Sequence, residues 1–229
     1  MQYSLLSVLS FATVVYGHGV VTSPPVRQAA SAFGQACGQQ MLSTESSDRL
    51  GNIQGLRQQA KADFDPTKCR LELCKGIPFA DAKPGDVQKF SPGQTVPIKV
   101  NIGAPHTGIA NVSVVDTATN SIIGQPLIEF QNYASTKTGV AKNNTDFSVT
   151  MPNTLPSTCG TAGACVLQWW WDSDEAKQTY MSCVDFTFGG AAGGGGAGNA
   201  STANAAAANG AAPSGGRATG SKAASASCN

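Results

Sequence analysis

Apolar and polar residues alternate along several segments in the second half of the chain. Thr95–Ile102 has an apolar residue at every second position, and Asp146–Met151 repeats the pattern. A period of two is typical of a strand with one face in a core. Turn clusters such as Ser91-Pro92-Gly93-Gln94 separate these segments. The strands predicted in this way are Thr95–Ile102, Asn111–Asp116, Ser121–Ile128, Asp146–Met151, Cys165–Trp171 and Thr179–Phe188.

The first half of the chain lacks this regularity. Between His18 and Pro92 the pattern predicts one short helix, at Asn52–Ala62, and long loops that contain several cysteines. Many short strands with closely spaced turns favour an all-β domain. We therefore expect an immunoglobulin-like antiparallel β-sandwich with long loops stapled by disulfides.

Residues 1–17 have the composition of a signal peptide. Leu5–Val15 is almost wholly apolar, and Val15 and Gly17 are small enough for the positions before a cleavage site that would leave His18 as the amino terminus. The apolar run is shorter than the roughly 20 residues that span a membrane as a helix. A secreted, extracellular protein is therefore expected.

Residues 189–229 form a low-complexity tail made mostly of Gly, Ala, Ser and Asn, and Arg217 and Lys222 are its only charges. Since this tail has no large apolar residue, it cannot bury enough surface to offset the entropy of ordering. It is predicted to be a disordered linker. One compact domain, residues 18–188, remains between the two ends.

The charge balance excludes two classes of partner. The formal net charge is +1, and only 13% of the residues are charged. A strongly basic surface, which would attract nucleic acid or an anionic membrane, is absent from this composition. We expect a monomer that binds neither of them and whose surface suits a neutral ligand such as a polysaccharide.

Cysteines and glycosylation sequons fit a secreted protein. Six of the seven cysteines lie in the domain, and Cys228 lies in the tail. Disulfides are favoured over a metal site because no Cys-x-x-Cys pair occurs, but the sequence does not choose among the possible pairings. The sequons begin at Asn111, Asn143 and Asn199.

The two histidines are candidate metal ligands. His18 would be the new amino terminus, and His106 follows the predicted strand Thr95–Ile102. An amino-terminal His offers its α-amine and an imidazole nitrogen, and a second His adds a third nitrogen. Copper(II) prefers planar sets of such donors, although the amine must lose its proton to bind. Either histidine alone is more often structural, so chance cleavage at His18 and an exposed loop at His106 remain the alternative.

Three short motifs carry a resemblance to a known family. The opening His18-Gly19-Val20-Val21-Thr22-Ser23-Pro24-Pro25-Val26-Arg27, then Ala104-Pro105-His106, then Gln178-Thr179-Tyr180 resemble the corresponding segments of lytic polysaccharide monooxygenases. The chain is most similar to the fungal family classed as auxiliary activity sixteen. The further similar stretches are Ala36-Cys37-Gly38-Gln39-Gln40, Gly51-Asn52-Ile53-Gln54-Gly55, Leu73-Cys74-Lys75-Gly76, Gln168-Trp169-Trp170-Trp171 and Cys183-Val184-Asp185-Phe186-Thr187.

The resemblance implies a copper monooxygenase catalytic domain at residues 18–188. His18 and His106 would hold copper as a histidine brace, and Tyr180 would take the axial position. Gln178 lies two residues earlier on the same strand face and would orient oxygen or peroxide. An external electron donor and O2 or H2O2 would then support oxidative cleavage of cellulose or a related β-glucan.

Two other functions fit the same residues. The copper site could act mainly as an oxidase that supplies hydrogen peroxide to other monooxygenases. Alternatively, the chain could be a copper-binding or cell-wall-binding protein without turnover. Tyr180 at the axial position argues mildly for the enzyme.

Several aromatic and acidic residues invite other functional interpretations. Trp169–Trp171 could stack on sugars, but their place in a strand favours core packing. Phe130 and Tyr133 are predicted in a surface loop, where they could contact substrate. The acidic residues of Trp171–Ala176 are interpreted as a solvated turn, not as the paired carboxylates of a glycosidase.

Overall fold

The computed structural model describes residues 18–189. The predicted signal peptide, residues 190–229 of the predicted tail and Cys228 lie outside the described residues. No helix in the described part is long and apolar enough to cross a membrane.

The strands are β1 (His18–Ser23), β2 (Gln88–Phe90), β3 (Thr95–Ala104), β4 (Gly108–Asp116), β5 (Ser121–Ile122), β6 (Ile128–Tyr133), β7 (Asp146–Thr150), β8 (Cys165–Ser173) and β9 (Gln178–Phe188). The helices are α1 (Ser31–Cys37), α2 (Gln39–Ser47), α3 (Ile53–Arg57) and α4 (Lys142–Thr145).

The strands form two sheets that share one core. The smaller sheet has the order β1-β3-β7, and the larger has the order β2-β9-β8-β4-β5, with β6 also paired to β4. All pairs are antiparallel except β2 with β9, which run parallel. The predicted immunoglobulin-like β-sandwich is therefore confirmed, with one parallel pair at an edge of the larger sheet.

The alternation of apolar residues determines which face of each strand enters the core. On β3, Val96, Ile98 and Val100 are buried, and they belong to the same cluster as Leu167 and Trp169 of β8. Burying one such side chain contributes about 1.5–3 kcal/mol. A slip of one residue would move this whole set to the solvent face, so the pattern specifies the register.

The predicted strand Ser121–Ile128 is wrong as a single element. The segment divides into the short β5 and the start of β6, separated by a turn in which Gly124 adopts a φ of 79°. The strand β6 then carries Phe130 and Tyr133 into the core, where they are 9% and 0% exposed. The interpretation of these two aromatic residues as substrate-contacting loop residues is therefore wrong.

The irregular first half folds into helices and loops against the larger sheet. The predicted helix Asn52–Ala62 is shorter in the structure, where α3 follows the cap residue Asn52, whose Oδ1 accepts a hydrogen bond from the backbone N–H of Gly55 at 2.7 Å. The helices α1 and α2 and the strands β1 and β2 were not predicted, because their apolar residues follow no regular period.

The six domain cysteines form three disulfides, two of which involve these loops, and this confirms the expected oxidised state of the domain cysteines. The bonds are Cys37–Cys69, Cys74–Cys183 and Cys159–Cys165. The bond between Cys74 and Cys183 ties the loop layer to β9 across 109 residues of sequence. The helices therefore hold a defined position over the sheet that carries Gln178 and Tyr180.

Candidate metal centre

The pairing of β1 with β3 brings the two histidines to one edge of the fold. His18 lies opposite Ala104, and His106 follows Ala104 by two residues. The register shifts directly after this pair, which leaves Gly103 as the extra residue of a bulge. A Cβ atom on Gly103 would lie 3.3 Å from the Cβ of His18 and 3.2 Å from Leu50. Any larger residue at Gly103 would therefore crowd His18 and Leu50.

The imidazole of His18 contacts a carboxylate that the sequence analysis did not single out. Its Nε2 atom lies 3.0 Å from Oδ2 of Asp48. The other carboxylate oxygen accepts the backbone N–H of Leu50 at 3.2 Å, and the N–H of Gly19 donates to the carbonyl of Leu50 at 2.9 Å. A ring that donates through Nε2 keeps its acceptor lone pair on Nδ1, the nitrogen nearer the backbone. Asp48 belongs to no motif, so only the fold could reveal this contact.

Trp171 supports both the amino-terminal strand and Tyr180. The rings of Trp171 and Tyr180 stack with centroids 4.4 Å apart, and both residues are fully buried. A Cβ atom on Gly19 would lie 3.0 Å from the Trp171 ring, so the backbone next to His18 lies directly on this ring. His18 and Tyr180 are thus positioned by one shared aromatic residue.

Gln178 and Tyr180 are in direct contact. The phenol of Tyr180 donates a hydrogen bond to Oε1 of Gln178, two residues earlier on β9. Burial raises the pKa of Tyr180 above its ordinary value, and the negative charge of Asp48 adds to this effect, while a hydrogen bond with Asn52 opposes it. The phenol therefore stays protonated at neutral pH and acts as a donor to Gln178.

The helix α3 fixes the strand segment between these two residues. The side chain of Gln54 accepts the backbone N–H of Thr179 at 2.8 Å and donates to the Thr179 hydroxyl at 2.9 Å. The same hydroxyl donates to Asp172 at 2.7 Å. These bonds hold Gln178 and Tyr180 in position without involving either side chain.

His106 lies in the short connection between β3 and β4 and is 9% exposed. The hydroxyl of Ser173 donates to the carbonyl of Thr107 at 2.9 Å and so attaches this connection to the end of β8. A Cβ atom on Gly108 would lie 2.1 Å from the carbonyl oxygen of Asp172, which leaves no room for any side chain there. The backbone around His106 is therefore tightly constrained.

The donor chemistry of this edge fits copper. Within residues 18–189, no three His, Cys, Asp or Glu side chains are grouped closely enough to hold a metal ion. Both histidines lie at the β1–β3 edge, and a chain that starts at His18 adds its α-amine. Three nitrogens of this kind match the preference of Cu(II) for nitrogen ligands in a planar arrangement.

A groove of about 240 Å³ with both polar and apolar lining adjoins His18. Besides Leu56, it is lined by Thr44 of α2, by Asn52 before α3, and by Gln58 and Gln59 directly after α3. These side chains carry hydroxyl and amide groups but no net charge. The groove therefore presents hydrogen-bonding groups suited to a neutral, hydroxyl-rich ligand.

The remaining aromatic and acidic candidates lie away from the metal centre or serve the fold. Trp169 and Trp171 are 2% and 0% exposed, which confirms their predicted core packing, while Trp170 points to the opposite face of β8 and is half-buried. Asp174 and Glu175 lie in an exposed turn, as predicted. Asp172 instead belongs to β8, so its interpretation as a turn residue is wrong.

Several solved structures have folds similar to this chain at low sequence identity. A chitin-binding domain from Burkholderia pseudomallei is 14% identical, with a TM-score of 0.42, over 76% of this chain and 100% of that chain. The cellulose-active lytic polysaccharide monooxygenase CelS2 in complex with copper is 15% identical, with a TM-score of 0.42 and the same coverage of both chains. A lytic polysaccharide monooxygenase from Thermobia domestica in the Cu(I) state is 17% identical, with a TM-score of 0.36, over 75% of this chain and 98% of that chain.

A family model gives the stronger result. No curated protein matches this sequence, but the family model described as "Lytic polysaccharide mono-oxygenase, cellulose-degrading" matches residues 18–186. The match begins at His18 and covers most of the chain, including the segments of both histidines, Gln178 and Tyr180. The chain therefore belongs to the family of lytic polysaccharide mono-oxygenases.

Proposed function

We propose that this chain is a secreted, copper-dependent lytic polysaccharide monooxygenase that cleaves cellulose or a related β-glucan by oxidation. The observation that carries this proposal is the register of β1 against β3. It sets His18 opposite Ala104, which precedes His106 by two residues. The family model that begins at His18 supports the same amino terminus. Residues 1–17 would be removed as a signal peptide, and residues 189–229 would follow the catalytic domain as a linker or tail.

His18 and His106 would hold the metal. His18 would bind through its α-amine and Nδ1, because Nε2 is engaged by Asp48, and His106 would supply the third nitrogen. Copper bound in this way supplies the redox chemistry that, with an external electron donor and O2 or H2O2, removes hydrogen from a carbon beside a glycosidic bond.

The other residues of the site would position groups and protons. Tyr180 would lie beside the metal, and its stacking on Trp171 fixes the ring. Since the phenol of Tyr180 donates to Oε1 of Gln178, the Nε2 amide group of Gln178 would be the donor left to orient oxygen or peroxide. Asp48 would hold the His18 ring against rotation, as outer hydrogen-bond partners do for metal-bound imidazoles.

A neutral β-glucan is the substrate best supported by the composition and the surface. Charged residues make up only 13% of the chain, and the groove beside His18 carries a single carboxylate, Asp48, itself bound to the imidazole. The family description names cellulose degradation. We also propose the fungal family of auxiliary activity sixteen as the closer relationship, on the motifs around His18, His106 and Tyr180.

The test combines processing, metal binding and products. The full-length chain is expressed in a secreting host, and the mature amino terminus and bound metal are measured by mass spectrometry. The copper-loaded protein is then incubated with cellulose and a reductant, and oxidised oligosaccharides are expected, with His106→Ala as the inactive control. Peroxide release without sugar oxidation would instead indicate an oxidase, and the absence of both signals from copper-loaded protein would indicate a non-catalytic copper-binding role.

A further inference from the structure

A second groove, of about 310 Å³, lies on the outer face of the larger sheet, away from the histidines. The β4–β8 register places Asn111 opposite Trp170, and Ser113 opposite Gln168. Since Val112 points into the core, alternation directs Asn111 and Ser113 outward, onto the face that carries Trp170. Directly opposite residues in such a pair have Cβ atoms about 4.5–5.5 Å apart, so the Asn111 side chain lies beside the indole.

The same two residues form a glycosylation sequon, Asn111-Val112-Ser113, in which Ser113 is 1% exposed. Asn111 is half-buried and lines the groove. The hydroxyl of Ser113 donates to Oδ1 of Asn111 at 2.9 Å. The amide oxygen therefore has a partner within the strand, and the nitrogen that would bear a sugar is the other substituent on the same carbon.

The walls of the groove suit one sugar ring. Trp170 and the exposed Ile122 offer apolar surface. Asn120 offers an amide group, Glu72 a carboxylate, and the largely buried Gln168 an amide whose Oε1 already accepts the N–H of Cys74. Small-molecule sites have volumes of about 300–1,000 Å³, so this groove is near the lower limit and matches a single ring better than a chain. A pyranose has one apolar face for the indole and polar edges for the amides.

We propose that Asn111 carries an N-linked glycan whose first N-acetylglucosamine lies in this groove against Trp170. The sugar would come from a lipid diphosphate-linked oligosaccharide donor: a C–N bond forms between its anomeric carbon and Nδ2 of Asn111, the C–O bond to the diphosphate breaks, and the amide loses one proton. This inference rests on the proposed secretion, because the donor is found in the secretory pathway of eukaryotic cells.

The sequon at Asn143 provides a matched comparison. Asn143 lies in α4 and is exposed, and it lines none of the grooves described for residues 18–189. A glycan at Asn143 would extend into solvent. Of the two sequons within residues 18–189, only the one at Asn111 is therefore expected to carry a glycan that stabilises the fold and shields a tryptophan.

The experiment uses the full-length chain recovered from the medium of a eukaryotic host. Peptide mass spectrometry should find a glycan on Asn111. After an endoglycosidase trims the glycan to one N-acetylglucosamine, the melting temperature should remain unchanged, whereas N111Q should lower it by about 2–4 °C, the shift that one lost packing contact causes in a domain of this size. N143Q should leave the melting temperature unchanged.

A second measurement needs no variant of the tryptophan. Trp169 and Trp171 are 2% and 0% exposed, so mild oxidation with N-bromosuccinimide should modify Trp170 first. This oxidation should be several-fold slower in the trimmed glycoprotein than in N111Q, with Trp169 and Trp171 as internal controls.

Three results would overturn the proposal. The first is an unmodified Asn111 in the secreted protein. If a soluble chito-oligosaccharide then slows the oxidation of Trp170, the groove binds a free sugar instead. Equal Trp170 oxidation with and without the glycan would also contradict it. Equal melting temperatures of glycosylated wild type and N111Q would contradict the packing of the sugar against the groove. None of these measurements involves copper, so their failure is distinguishable from a failure of the proposed oxidation of polysaccharide.

Discussion

The Nε2 atom of His18 lies 3.0 Å from Oδ2 of Asp48, in the loop that follows α2. This contact joins the first residue of β1 to the loop between α2 and α3, and the N–H of Gly19 also donates to the carbonyl of Leu50 in that loop. It selects the ring nitrogen that remains available next to the backbone amine. The orientation of the proposed amino-terminal ligand therefore depends on a residue far from it in sequence.

Replacing Asp48 should weaken copper binding without unfolding the domain. Because a lost outer hydrogen bond to a metal-bound imidazole costs about 10- to 100-fold in affinity, Asp48→Ala should raise the Kd for copper by that factor. Asp48→Asn should have a smaller effect, since its amide oxygen can still accept from Nε2. The Kd is measured by calorimetry, with Asp174→Ala, whose side chain is 93% exposed, as the control. A Kd unchanged in both Asp48 variants would show that the contact has no role in binding.

A chain with one extra residue before His18 should lose the copper site proposed for the authentic chain. The amine of His18 would then be a peptide nitrogen, whose proton the metal must displace at a higher cost than that of an α-amine, so the affinity should fall. Calorimetry on the extended and the authentic chains makes the comparison, and thermal unfolding checks that both are folded. Equal affinities would rule out the proposed three-nitrogen site.

The His106→Ala variant should abolish or grossly change the type-2 copper signal in electron paramagnetic resonance, because one of three nitrogens is removed. Tyr180→Phe should retain copper and alter the spectrum only slightly, since a protonated axial phenol is at most a weak ligand. Its lost hydrogen bond to Gln178 should also affect turnover. An unchanged spectrum in His106→Ala would mean that His106 is not the second ligand.

Gln178→Ala should bind copper normally and lose most of its turnover. Loss of one preorganised donor in a hydrolase lowers the rate by about 10²–10³, and we expect roughly a hundredfold decrease here. Gln178→Glu keeps an acceptor for Tyr180 and separates that contact from the role of the amide donor. The readouts are oxidised-sugar release and, without substrate, peroxide production at matched copper loading. Wild-type rates of both would make Gln178 a bystander.

The buried pair Glu45–Lys75 should make stability depend on pH. The two charged atoms are 2.7 Å apart, and the side chains are 5% and 3% exposed. Burial raises the pKa of Glu45 from 4.5 to about 7, against the lowering effects of Lys75 and Arg49, and Asp48 adds slightly to the increase. Between these two pH values the folded state binds a proton that the unfolded state releases, so the free energy of unfolding falls as pH rises.

The expected decrease from this group is about 3 kcal/mol between pH 4.5 and 7. Glu45→Gln should flatten the profile in that window, as measured by denaturant unfolding at a series of pH values. Glu72, whose side chain is 59% exposed, provides the control: Glu72→Gln should leave the dependence of the unfolding free energy on pH unchanged. The same slope in wild type and Glu45→Gln would contradict the assignment.

Strand alternation in the sequence was sufficient to predict β3, β4, β7, β8 and β9. In Thr95–Ala104 the inward residues Val96, Ile98 and Val100 are buried as the period of two requires. The pattern failed at Ser121–Tyr133, because the turn after β5 interrupts the alternation and Phe130 and Tyr133 enter the core from a second strand. Periodicity is a local signal, and it cannot place a break whose position depends on pairing with β4.

The sequence by itself pointed to the candidate donors: residue type marked His18 and His106 as nitrogen ligands, and the resemblance of the motifs to a known family added Gln178 and Tyr180. Only the tertiary structure decided what surrounds them: the disulfide pairing, the Trp171 ring under Tyr180 and the carboxylate of Asp48 at His18. These contacts join residues that are distant along the chain. They arise from sheet register and loop packing, which depend on the summed burial of the whole core and leave no periodic pattern in any short stretch of sequence.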